Sequence, residues 1–423
     1  MTTRLAPPPS GAADALSGLD PALPRIAESF DLPAVGRLFE RAWRTPITRC
    51  ALLSTRYEPG ARCVTTYGFE AGDARGGAPA RTIGVLEVTP AGRSHRRYDE
   101  DSGLPGLSAA VDPAIVATRL APGCAARIEE CTVAPVRYRP GERAVLRYVL
   151  TTSAGPVVLY GKVLADGVRA LSDALTGLHQ AERAGPAAPS VLPPISVFDD
   201  LGLVIQAEVA GESVHAQAFS SALPSGERVA LFRHAGRAVA ALHDGLGPSA
   251  PRRTPADDVR ELGAYLPAAG RADRTLAARL AGAVERAGLA LSGAPDEAMV
   301  PSHGSLRTDQ MHASAGRMTL IDLDGYCRSP RARDIGNLLA YLRWKAIRQP
   351  AHRPLVAEGR RAFRAAYRRT GEMPADDLVR RAEAISLLKI AGRRFRNLSV
   401  REWPNVPALV DAALELLPEG GRG

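Results

Sequence analysis

The chain has 423 residues, 45% hydrophobic and 23% charged, enough for two or three domains with cores of their own. Aromatic residues make up 5%, so those cores rest on Leu, Val, Ile and Ala. The net charge is +9, which points either to anionic partners or to an Arg-rich composition bias. No nucleic-acid motif accompanies it, so nucleic acid is not an expected partner. No run of about 18 uncharged apolar residues occurs, so no membrane-spanning helix is expected. Residues 1–19 lack the apolar segment of a secretory signal. The five cysteines (Cys50, Cys63, Cys124, Cys131, Cys327) are odd in number and show no metal-site spacing, as expected of a cytoplasmic protein. Of 54 basic residues only Lys162, Lys345 and Lys389 are lysines. Where Arg is the default cation, each Lys raises the question of why Arg would not serve.

Residues 1–22 are rich in Pro, Ala and Gly, and the composition predicts disorder. Helical spacing of Leu32, Val35, Leu38, Phe39 and Trp43 predicts a helix over 25–45. Strands are expected at 48–54 and 63–69, around the turn Tyr57-Glu58-Pro59-Gly60, and at 81–89. A second block repeats the pattern: strands at 131–136 and 144–150 flank Tyr138-Arg139-Pro140-Gly141, and 157–164 follows. Two readings fit, an internal duplication or a chance likeness of two hairpins. A helix is expected at 168–185 and strands at 191–197 and 202–209. Helices then dominate (227–244, 257–268, 273–291, 334–348, 355–370, 376–394, 406–417), interrupted by a β-like segment at 304–324. The pattern is α+β with two lobes: a tail at 1–22, an extra α/β block at 23–125, a β-rich lobe at 126–211 and a helical lobe at 212–423.

The chemistry concentrates between Ser302 and Leu342. Met318 to Leu323 reads as an apolar strand ending in Asp322 and Asp324. At i and i+2 on a strand, both carboxylates would face one way and suit Mg²⁺; a plain surface turn is the alternative. Lys162 lies on the predicted strand 157–163, where a compact ammonium suits a phosphate, a water-facing strand lysine being the alternative.

The spacing across 303–337 resembles the catalytic core of the aminoglycoside phosphotransferase and choline kinase-like family, relatives of the protein kinase fold. The residues are His303-Gly304-Ser305-Leu306, Gln310, Ile321-Asp322-Leu323-Asp324 and Asp334-Ile335-Gly336-Asn337; the likeness covers roughly 130–400. It implies a bilobal kinase-like fold, with ATP and Mg²⁺ held between a lysine of the β-rich lobe and an aspartate of the helical lobe. Asp322, Asp324 and Gln310 would hold the metal. Lys162 would hold nucleotide phosphates, paired with Glu182 or Asp173. The 139–142 turn would cover the phosphates through Arg139 or Arg143, and the backbone near Glu208 and Val209 would read the base, an ordinary edge strand being the alternative there. His303 is the family's loop histidine.

Two residues depart from the family's pattern. Ser305 stands where the acceptor-side Asp is expected, and Gln310 where Asn is expected. A hydroxyl cannot serve as a carboxylate base; Asp309 is either a substitute or a solvated loop residue. Two functions therefore compete: an ATP-dependent phosphotransferase acting on a hydroxyl of a small molecule or modified peptide, and a pseudokinase-like module that binds nucleotide or a partner without transfer. In the extra block, Glu87 falls where Lys162 falls. That block is expected to be structural or substrate-facing, and is the candidate contact surface for a second copy or a protein partner.

Overall fold

The computed structural model describes residues 11–71, 80–183, 189–292 and 297–418. The chain divides into two compact units, one of 1–169, 194–208 and 394–403, the other of 170–193, 209–393 and 404–423. No described helix is long and apolar enough to cross a membrane.

In the first unit β1 (Ile47–Glu58), β2 (Arg62–Ala71), β3 (Ala80–Thr89) and β4 (Gly92–Arg97) form an antiparallel sheet in chain order. A second sheet starts with β5 (Ile128–Arg139), β6 (Arg143–Thr152) and β7 (Gly155–Leu164) and continues through Leu203–Ala207 and Ser196–Phe198. Along β6, Ala144, Leu146, Tyr148 and Leu150 are buried while the residues between them are partly exposed, the period-two pattern of a half-buried strand. The strand expected over 191–197 is broken instead. Pro193 and Pro194 offer no N–H to a ladder, so Ser190–Val191 and Ser196–Phe198 join different sheets.

The helix expected over 25–45 is also divided. Asp31 accepts from Ala34 N at 3.0 Å and caps a helix of Leu32–Trp43, preceded by a 3₁₀ turn at Ile26–Phe30. That helix lays Leu32, Val35 and Phe39 on Tyr67, Phe69 and Leu86 of the first sheet. On the other face Val64, Ile83 and Val85 share a core with Val116 and Leu120 of the Pro113–Leu120 helix and with Tyr138, Leu146 and Tyr148 of the second sheet. The unit is thus layered helix, sheet, helix, sheet, and the two β-rich blocks share one core.

The predicted disorder of 1–22 is corrected over 11–22; residues 1–10 lie outside the described ones. Ala12–Leu16 is helical and Leu16 is buried. The cause is Asp20, buried and accepting from Tyr57 Oη and Gly60 N at 2.7 Å each. The same arrangement recurs at Asp101, which accepts from Tyr138 Oη at 2.6 Å and Gly141 N at 2.7 Å, over the same separations of 37 and 40 residues. A third bond repeats at a separation of 38: Tyr67 Oη to Ser29 O (2.6 Å) and Tyr148 Oη to Ala110 O (2.9 Å).

In the second unit a hairpin of Met311–Ser314 and Arg317–Leu320 is flanked by Glu212–Ser213 and, in parallel, Ser190–Val191. Met299–Ser302 pairs with Cys327–Pro330. Helices surround both, their ends within a few residues of expectation, except that 257–268 is two helices, Pro255–Gly263 and Leu266–Ala272.

Candidate functional site

The loop from His303 to Gln310 is built on the two-stranded ladder, which ends at the Ser302–Cys327 pair. Its shape is imposed by Asp334, which lies in the first turn of the Arg331–Arg348 helix and is fully buried. Its carboxylate accepts from the N–H groups of His303 (2.6 Å) and Gly304 (3.0 Å), and His243 Nε2 stands 3.5 Å away. Burial alone would raise this carboxyl; the bond from His243 and the nearby His303 and Arg333 hold it below its usual value. Asn337, one turn on, donates to Leu306 O at 2.8 Å. Arg333 donates to Gly304 O at 2.7 Å and grips Asp258 at 2.8 and 3.2 Å.

Gly304 has φ +82, and a Cβ there would lie 1.8 Å from Gly325 O. The loop and the 322–325 turn can meet only because this residue is glycine. That contact brings Gln310 to Asp322: Gln310 Nε2 lies 3.1 Å from Asp322 Oδ2 and 3.4 Å from Ser305 Oγ. Gln310 is buried, and its Oε1 has no hydrogen-bond partner among the described residues. Gln310 thus turns its amide nitrogen to Asp322 and leaves a buried carbonyl oxygen unmatched; that oxygen and the Asp322 carboxylate are hard donors of the kind Mg²⁺ takes. Gln310 and Asp322 therefore fit Mg²⁺.

Asp322 and Asp324 do not stand on a strand. The strand stops at Leu320; Asp322 is left-handed (φ 63) and precedes a 3₁₀ turn of Leu323–Gly325. The same-face argument from strand periodicity therefore fails, although the two carboxylates stay within one turn of each other. His303 is buried, with Nε2 bonded to Ile321 O at 2.9 Å; it ties the loop to the turn. Asp309 is exposed and held by Arg307 at 2.9 and 3.3 Å.

In the first unit Lys162 is half-buried on β7, opposite in facing to buried Leu159 and Val163, with Val145 and Val204 as cross-strand neighbours. Its counterpart Glu87 lies 3.7 Å from Arg62 and 3.9 Å from Arg96. The two positions correspond in register: Glu87 opposes Val64 on β2 as Lys162 opposes Val145 on β6. The 139–142 turn is pinned, since Gly141 N is given to Asp101. Glu142 pairs with Arg56, and with Arg139 at 3.7 Å. Glu208 donates its N–H to Val158 O at 3.4 Å and receives Tyr160 Oη at 3.3 Å; the chain passes between units from Glu208 to Val209. Asp173 is exposed on the Val168–Arg183 helix. The side chain of Glu182, near the end of that helix, lies outside the described ones.

Sequence reasoning missed a buried charge network behind the loop. Lys389 Nζ lies 2.7 Å from both Asp258 and Glu261, and Asp258 passes the network to the loop through Arg333. The signal was available, since Lys389 is one of three lysines. The same holds for Lys345, which stands on the face of Phe219.

Residues 136–374 match the model of a family described as phosphotransferase enzymes. Among solved structures, a choline kinase from Cryptosporidium parvum Iowa II aligns at 12% identity and a TM-score of 0.51, over 72% of this chain and 94% of the other. A spectinomycin phosphotransferase solved with ADP and spectinomycin aligns at 11% identity and 0.48, over 72% and 98%. An amicoumacin kinase solved with AMP-PNP and Ca²⁺ aligns at 14% and 0.48, over 67% and 87%. A search of curated proteins gave no match.

Proposed function

Because the chain belongs to the phosphotransferase enzyme family, we propose that it transfers a phosphoryl group from ATP to a hydroxyl of a small molecule or modified peptide. The observation that carries this reading is the Gln310–Asp322 contact with its unmatched buried oxygen, on a loop held by Asp334. Gln310 and Asp322, with Asp324 beside them, are the residues for Mg²⁺, which neutralises phosphate charge and orients the transferring group. Lys162 is the cation for the nucleotide phosphates, and the backbone at Glu208 and Val209 is the place for the base. Arg139 is the candidate for covering the phosphates: it stands on a turn whose glycine N–H is already used, which favours side chains over backbone donors there. The new O–P bond forms as the bond to ADP breaks, and the hydroxyl proton passes to water. Such a transition state is loose and depends mainly on positioning and charge, so Ser305 can hold the acceptor oxygen without acting as a base. His303 shapes the loop.

A second reading is favoured by the acceptor side of the same loop. Ser305 offers no carboxylate, and Asp309 is occupied by Arg307. On this reading nucleotide binds without transfer. The recurring Asp–Tyr–Gly bonds support taking the N-terminal block as a second copy of the nucleotide-side unit, with Glu87 in the lysine's place and its equivalent face sealed by the shared core. That copy is structural and braces the 139–142 turn through Arg56 and Glu142.

The test is release of γ-phosphate from radiolabelled ATP by the wild type and by Ser305→Asp. Turnover by the wild type supports transfer. Turnover seen only in Ser305→Asp supports the second reading, and absence of both turnover and nucleotide binding refutes the two together.

A further inference from the structure

One basic cluster of the second unit is left unused by the proposed chemistry. Phe219 is its centre: the ammonium of Lys345 stands 4.6 Å from the ring centroid, and the rings of His215 and His352 lie at 5.0 and 5.1 Å. His215 joins the cluster to the catalytic loop, its Nδ1 being 3.2 Å from Thr308 Oγ1. Among the described residues Lys345 makes no ion pair. The neighbouring Arg228 has a buried Nε with no hydrogen-bond partner among them. The largest charge effects on His215 come from Lys345, His352 and Arg348, which lower it, and from the carboxylate of Asp309, which opposes them and is itself held by Arg307. Like charges crowded beside a ring cost free energy that a bound anion would offset.

We infer that Lys345, His215 and His352 form an oxyanion-binding subsite on the acceptor side of the catalytic loop, so that the hydroxyl compound phosphorylated carries a carboxylate or phosphate group. The inference rests on the phosphotransferase reading for the word acceptor, but the subsite itself does not need catalysis. Lysine as a compact point charge suits an oxyanion, and Phe219 supplies an apolar floor beneath it. Burial, then Lys345 and the other cations, hold His215 below its ordinary pKa, with Asp309 opposing; burial and Lys345 do the same to His352. A bound anion reverses that crowding and raises both.

The experiment follows the two imidazole titrations by NMR in the full-length protein, with and without inorganic phosphate, acetate or glucosamine. Lys162→Ala serves as background, so that the nucleotide site does not contribute. Phosphate or acetate is expected to raise both pKa values, the larger response naming the anion class, and glucosamine is expected to leave them unmoved. Lys345→Gln should raise the His215 pKa without any anion, since a like charge is gone, and weaken the anion response about tenfold. No response to either anion, a response to glucosamine alone, or an unchanged anion response in Lys345→Gln overturns the subsite. Absence of ATP turnover in the wild-type protein, with the anion response intact, would instead count against the phosphotransferase reading and leave the subsite standing.

Discussion

Gly304 and Asp322 carry the local geometry of the site. Gly304→Ala would place a methyl group against Gly325 O in a left-handed residue, so the loop or the turn must move. The expected result is a loss of more than about 2 kcal/mol in stability, from strain and clash together, with Mg²⁺-dependent nucleotide binding lost as well. Thermal unfolding and calorimetry check it, and a variant that keeps both properties would contradict the contact. The sequence spacing singled out His303, Gln310, Asp322 and Asp334, and the structure brings Gln310 to Asp322 and His303 N to Asp334. The spacing could not show Asp322 in a left-handed turn, because the apolar run does not mark that the strand stops at Leu320. Nor could it show that His303 faces Ile321 O.

At the scale of elements, two buried aspartates pin two hairpin turns. Asp101 holds Tyr138 and Gly141, and Asp20 holds Tyr57 and Gly60. Removing either carboxylate takes one acceptor from a tyrosine hydroxyl, a glycine N–H and a neighbouring backbone N–H (Ala22 for Asp20, Gly103 for Asp101), at roughly 1–3 kcal/mol for each donor left without a partner. Asp101→Ala is expected to lower both stability and nucleotide affinity, because the 139–142 turn is released. Asp20→Ala should lower stability alone; equal effects of the two on affinity would refute the division of labour. The hairpins were legible from turn residues and β-branched runs, but the aspartates that pin them were not, since the partners are 37 and 40 residues away. The helix at 25–45 was misjudged because its apolar spacing runs past Asp31, whose side chain caps a new start.

A second element-level prediction concerns Lys389. Burial alone would raise the carboxyls of Asp258 and Glu261, but Lys389 acts on both, with Arg333 beside the first and Arg393 beside the second, and both are held below their usual values. Folded values below unfolded ones mean that this stability is complete above about pH 4–5 and is lost as pH falls through the folded values. Lys389→Met should therefore cost on the order of 3 kcal/mol at neutral pH. Urea unfolding should show the gap to wild type narrowing as pH falls below 4. A gap that is constant with pH would contradict the assignment.

For the whole molecule, the first unit holds Lys162 and the pinned turn, and the second holds Gln310 and Asp322 on their anchored loop. The division into a β-rich front and a helical back was readable from periodicity. That the two β-rich blocks share one core was not, because each strand pattern alone predicts a sheet and says nothing of what covers its second face. The most direct measurement is calorimetric titration of ATP into wild type, Lys162→Ala and Asp322→Ala, each with and without Mg²⁺. The account predicts Mg²⁺-dependent binding by the wild type, at least about tenfold weaker binding in Lys162→Ala, and loss of the Mg²⁺ dependence in Asp322→Ala. Wild-type protein that does not bind ATP, or binding unchanged in both variants, would contradict it.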